Sequence, residues 1–125
     1  MNNQVAVNSY SQVHTHANVE TASPHKLIDM LYEGALQRIT QARGAMQFKQ
    51  VEAKGKRINQ AISIVGGLRE NLNLDQGGEI AENLDALYFY IQGLLAKAHV
   101  SNDDSKLEEA SNLLLDLRGA WKQIG

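Results

Sequence analysis

The sequence contains no cysteine and only one proline. The first absence excludes a disulfide framework and any thiolate metal site, and it fits a reducing compartment. The lone proline is Pro24, placed where it opens a helix rather than breaks one. No apolar run approaches the roughly 18 residues needed to cross a membrane, so no membrane insertion is expected. Neither sign of charge dominates: 12 basic and 14 acidic residues give a formal net charge of −2. That balance supplies no basic stripe for a nucleic acid. The opening MNNQVAVNSYSQVHTH lacks a basic start and a long apolar centre. No secretory signal is read there, and the cytoplasm is the expected compartment.

What is present is helical periodicity. Ser23 can cap an orphan backbone N–H, and Pro24 suits the first helical position. Ile28, Leu31, Ala35, Ile39, Ala42 and Met46 then recur every three or four residues, to an end near Gln47 to Lys49. A second helix is expected from about Val51 to Leu72, with Ile58, Ala61, Ile62, Val65, Leu68 and Leu72 on one side. Asn73 and Gly77-Gly78 mark a turn. The third helix starts after the glycines, carries Leu84, Leu87, Ile91, Leu94, Leu95 and Ala98 on one face, and ends near His99 to Ser101. Ser105-x-x-Glu108 matches a capping box and opens a fourth, with Leu107, Ala110, Leu113, Leu114, Leu117, Trp121 and Ile124 inward.

No segment reads as a strand. Short links between long helices favour antiparallel neighbours. The expected fold is all-α: an antiparallel up-and-down four-helix bundle over residues 23–125. Residues 1–22 hold one acid, Glu20, no Lys or Arg, and no helical period. They are expected to form an extended, flexible N-terminal strap, docked through Tyr10.

The chain shows no catalytic constellation. Its histidines are His14, His16, His25 and His99. His14-x-His16 could chelate a metal weakly, but no Glu-x-x-His pair of the kind that lines di-iron bundles occurs. No metal and no cofactor are expected. A histidine phosphotransfer bundle, acting in two-component signalling, is the alternative, because it needs a single exposed helical His. His25 and His99 lie at helix ends, and neither precedes the Lys-Gly usual in such domains. Glu79, Glu82 and Asp85 read as a solvated face, and no phosphate-binding glycine loop is present.

Several large apolar residues fall off the core stripes. Phe89 points about 180° from the Leu87–Ile91–Leu94 face, with Ala86, Gly93 and Ala96 beside it. Leu115 on the fourth helix, Ile64 on the second, and Met30 and Leu36 on the first are expected outside as well. One exposed apolar residue is ordinary. An off-face residue on every helix suggests a partner surface without chemistry of its own, suited to an amphipathic helix.

Three stretches, TASPHKLIDMLYEGAL (21–36), GGEIAENLDALYFYI (77–91) and LEEASNLLLDLRGAW (107–121), closely resemble the FliS family of flagellin export chaperones. Tyr10 sits where that family has an N-terminal tyrosine. The resemblance implies a cytoplasmic four-helix bundle that binds the C-terminal region of flagellin. Binding prevents premature polymerisation and delivers flagellin to the flagellar type III export gate. It also implies that Tyr10 packs on part of the client surface. With the off-face residues, the expected flagellin-binding set is Tyr10, Met30, Leu36, Ile64, Phe89 and Leu115. One departure from the family pattern is Phe89, whose position is commonly polar there; Gly93 is often larger and charged. Phe89 is therefore expected to add to the client surface or to support a weak homodimer.

Overall fold

The computed structural model describes residues 22–124, and of residues 74–76 the backbone alone. Four helices follow one another: α1 (Pro24–Gln47), α2 (Val51–Glu70), α3 (Leu74–Ser101) and α4 (Asp104–Ile124). Among the described residues there is no strand. The strap expected over residues 1–22, with Tyr10, His14 and His16, lies outside the described residues save for Ala22.

The ends of the helices show their directions. The start of α1 meets the end of α4 through His25 and Trp121, and its end meets the start of α4 through Arg43 and Asp104. The start of α2 meets the end of α3 through Lys54 and the His99 carbonyl, and its end meets early α3 through Arg69 and Asp85. Each helix thus packs against two neighbours in an antiparallel ring, with α1 and α2 packed most extensively.

Local chemistry explains the boundaries. The Ser23 hydroxyl accepts the Lys26 N–H at 3.1 Å, with Pro24 in the first turn, as the sequence predicts. At α4 the cap is Asp103, not Ser105. Its carboxylate accepts both the Ser105 N–H (3.0 Å) and the Ser105 hydroxyl (2.6 Å). A carboxylate satisfies two donors at once and favours the positive end of the helix, so it displaces the weaker hydroxyl cap. The start of α3 also differs from expectation. Helical bonding begins at Leu74, and the break falls within the helix at Gly78, whose φ of 59° and ψ of −140° are open to glycine alone.

Leu31, Ile39, Ile58, Val65, Ile91, Leu95, Leu107 and Leu114 are fully enclosed and form the centre of the core. Ile124, expected inward, is exposed. Trp121 already stands level with His25 in the first turn of α1, so the last turn of α4 runs past the end of its neighbour. Across the bundle the hydroxyls of Tyr32 and Tyr88 bond each other, which satisfies two polar groups inside the core. Burial raises both phenols, Tyr88 well above its ordinary range. No described helix is long and apolar enough to cross a membrane.

Candidate functional site

The expected surface residues separate into three groups. Met30 and Ile64 are buried, at 3% and 5% exposure, so the outward placement expected for them is wrong. A helix that touches two neighbours and the core buries an arc wider than a single stripe. Asp29, Met30, Leu31 and Tyr32, four consecutive residues, are all buried on α1. Leu36 is half-buried and packs on the core. Phe89 and Leu115 are exposed, at 65% and 51%. Tyr10 lies outside the described residues.

Phe89 and Leu115 do not share a patch. Tyr90 on α3 reaches Glu109 of α4, and Arg118 of α4 reaches Asp29 of α1. At about 100° per residue, Leu115 stands about 60° from the Arg118 direction and about 120° from that of Glu109. It therefore lies on the α1 side of α4, away from α3.

The larger feature surrounds Phe89. Ala86, Phe89, Gly93, Ala96 and Val100 follow one another at spacings of 3, 4, 3 and 4 along the outer side of α3. Over this stretch α3 rises about 21 Å. Val100 is 87% exposed, and Tyr90 beside Phe89 is half-exposed. A Cβ at Gly93 would meet nothing within 4 Å, so the backbone there faces open space. At the far end a cleft of about 370 Å³ is lined by Ala96, Lys97, Val100, Ser101 and Lys106. The sequence reading found the small residues around Phe89 but not Tyr90 or Val100. Continuing the 3–4 spacing to the end of α3 would have found Val100.

The two rings are held in place. The Arg69 guanidinium lies over Phe89, 5.2 Å from the ring centroid. It is itself fixed by both Asp85 carboxylate oxygens (2.7 and 3.1 Å) and by the Gln92 side chain (3.1 Å). The Tyr90 hydroxyl donates to Glu109 at 2.6 Å, and that bond raises its pKa. Phe89 leans toward α2 and Tyr90 toward α4. Ring faces and edges between them are left to solvent.

The two described histidines, His25 and His99, are tied into the fold. The His25 ring stacks on Trp121 at 4.5 Å, its Nε2 donates to the Trp121 carbonyl at 2.8 Å, and Trp121 Nε1 donates back to the His25 carbonyl at 2.9 Å. The nitrogen that a phosphotransfer reaction would use is therefore occupied. His99 packs against α2 where Gly55 leaves room: a Cβ there would lie 3.1 Å from the imidazole. Among the described residues no three His, Cys, Asp or Glu side chains gather as a metal site would require.

What the residues assemble is an apolar surface on a rigid helical scaffold, the arrangement of a helical binding module. The chain belongs to the FliS family: the family model for flagellar protein FliS matches residues 6–125. It is similar to the flagellar secretion chaperone FliSB of Pseudomonas aeruginosa, 49% identical over 119 residues, covering 95% of this chain and 94% of that protein. It is also similar to the flagellar secretion chaperones FliS of Salmonella typhimurium (41% identical; 94% and 88% covered) and Vibrio cholerae (34%; 95% and 88%). These are chaperones rather than enzymes, and the chain is a flagellar secretion chaperone of the same family.

Proposed function

We propose that this chain binds the C-terminal region of newly made flagellin in the cytoplasm, keeps it from polymerising early, and presents it to the flagellar type III export gate. The observation that carries the reading is an apolar stripe, Ala86 to Val100, left open among the described residues, on a chain of a secretion-chaperone family. A client that assembles through amphipathic helices must have those helices covered until export. Outward apolar residues on a rigid bundle can cover them without ATP or a cofactor. If the client folds as it binds, the ordering cost lowers affinity per unit area and eases later release. Phe89 and Leu115 are the expected residues that remain open to such a client. Met30 and Ile64 act instead by holding the scaffold.

The test is titration with a C-terminal flagellin fragment, followed by calorimetry and circular dichroism. Saturable binding with a gain of helix is expected, weakened at least ten-fold by Phe89→Asp with the thermal midpoint nearly unchanged. A fragment that fails to bind the full-length chain at any accessible concentration overturns the reading.

A further inference from the structure

We propose that Arg69 is a positioning residue of the client surface: its guanidinium, clamped to α3 by Asp85 and Gln92, holds the Phe89 ring in one orientation before any client arrives. This role rests on the client reading above. It assigns a part in binding to a residue of α2 that acts through a side chain of α3.

A phenylalanine on an open helix face turns among staggered rotamers, and a partner that fixes it must offset the freedom lost. Phe89, at 65% exposure, would be such a ring on a lone helix. Here it is not alone. Asp85, Phe89 and Gln92 follow one another at spacings of 4 and 3, so they form one row along the α2 side of α3. Arg69, in the last turn of α2, spans that row. Its Nε and Nη2 donate to the two Asp85 oxygens at one end, at 2.7 and 3.1 Å, and its Nη1 donates to Gln92 Oε1 at the other, at 3.1 Å. The Gln92 amide in turn donates to the Ile62 carbonyl of α2 at 3.1 Å. A planar guanidinium bonded through all three of its nitrogens cannot swing aside. The Phe89 ring lies between the two tethers, with the cation 5.2 Å from its centroid. That is within the reach of a cation–π contact.

The charge on Arg69 is also matched. Bonding to Asp85 raises the Arg69 pKa, and bonding to Arg69 lowers that of Asp85, so both stay ionised at neutral pH. The carboxylate offsets the cation, and an apolar client residue that meets the ring meets no uncompensated charge. Lysine cannot substitute. Its ammonium is a compact point charge on a flexible stem and has no fork to bridge Asp85 and Gln92.

Nuclear magnetic resonance and titration of the full chain test this. In the free protein, the three-bond N–Cγ and C′–Cγ couplings of Phe89 report its χ1. One rotamer is expected in the wild type, and averaged couplings in Arg69→Lys. Against a C-terminal flagellin fragment, Arg69→Lys should bind about three- to ten-fold more weakly, the effect of one side chain that is no longer immobilised in advance. In the background of Phe89→Leu, which keeps apolar bulk but offers no ring face, the same change should cost less than about two-fold. Urea midpoints separate positioning from a purely structural ion pair. Arg69→Lys should keep most of the stability that Arg69→Gln loses, yet not the affinity. Averaged couplings in the wild type overturn the proposal. So does an equal loss of affinity with and without the ring, and so does an Arg69→Lys chain that keeps affinity together with stability. A wild type that does not bind the fragment strikes the client reading itself. Any of the three preceding results with wild-type binding intact strikes the positioning role alone.

Discussion

The first turns of α1 and the outer side of α3 are built from similar residues and meet opposite environments. Asp29 to Tyr32 are buried one after another, although one of them is an acid. Along α3, Ala86, Phe89, Tyr90, Ala96 and Val100 stay open although most are apolar. The difference lies in what stands beside each helix. The start of α1 is closed on one side by Trp121 and Arg118 of α4 and on another by α2, with which it packs most extensively. Among the described residues, the outer side of α3 has no third neighbour. Hydrophobicity marks a residue as wanting cover, and the arrangement of helices decides which residues receive it within the chain.

The sharpest way to break this comparison is to shorten an enclosed residue that the wheel places outside. Ile64→Ala should cost about 2–5 kcal/mol, as loss of a buried aliphatic side chain does when the site cannot collapse. Urea unfolding would measure it. A cost below about 0.5 kcal/mol would put Ile64 on the surface and undo the wide buried arc of α2.

Next in size is the ionic link that closes the start of α1. Arg118 donates to both Asp29 oxygens, at 2.8 and 3.2 Å, with the acid side chain only 9% exposed. This bonding holds the Asp29 pKa below its ordinary value of 3.8 against the opposing effect of burial. A depressed acid stabilises the fold fully above the unfolded value and loses that contribution as pH falls through the folded one. Asp29→Asn should therefore cost about 1–3 kcal/mol at neutral pH. The difference from wild type should shrink on acidification below pH 3.8. Thermal midpoints from pH 7 to pH 2 would show it, and a gap independent of pH would remove the charge from the account.

These two sites also show what could be read from the chain alone. Ser23-Pro24 announces the start of α1 because capping is a local matter. The four core stripes are legible for the same reason, since 3.6-residue periodicity needs no knowledge of neighbours. Met30 and Ile64 are misread because the width of a buried arc depends on how many helices surround it. Asp103 takes the cap from Ser105 in a competition between two adjacent residues that the S-x-x-E pattern does not weigh. The pairs Asp29–Arg118 and Tyr32–Tyr88 join residues far apart in sequence, and no local pattern announces them. Phe89 is legible because nothing overrides its position on the wheel.

On the open side the expected effects are smaller. Phe89→Ala removes the ring beneath Arg69, a cation–π contact worth about 0.5–1 kcal/mol at an exposed site. Alanine's better helix propensity returns part of this. The midpoint in urea should fall slightly, while client binding drops. A loss above about 2 kcal/mol would mean that the ring is enclosed by its own chain.

The smallest effect belongs to Leu115. Half of its surface is already in water. Leu115→Ala gives up some apolar contact along α4 and gains a little helix propensity, so the net change should stay within about 0.5 kcal/mol. Its effect on binding separates two geometries. Leu115 faces the α1 side of α4, well away from the α3 stripe. Fold stability should be nearly untouched by Leu115→Ala, whereas a client that wraps around the bundle should lose affinity. Paired measurements on the one variant, urea unfolding without flagellin and titration with it, check both. If titration is unchanged as well, the client's path is confined to the α3 side, and Leu115 is a solitary exposed leucine with no partner.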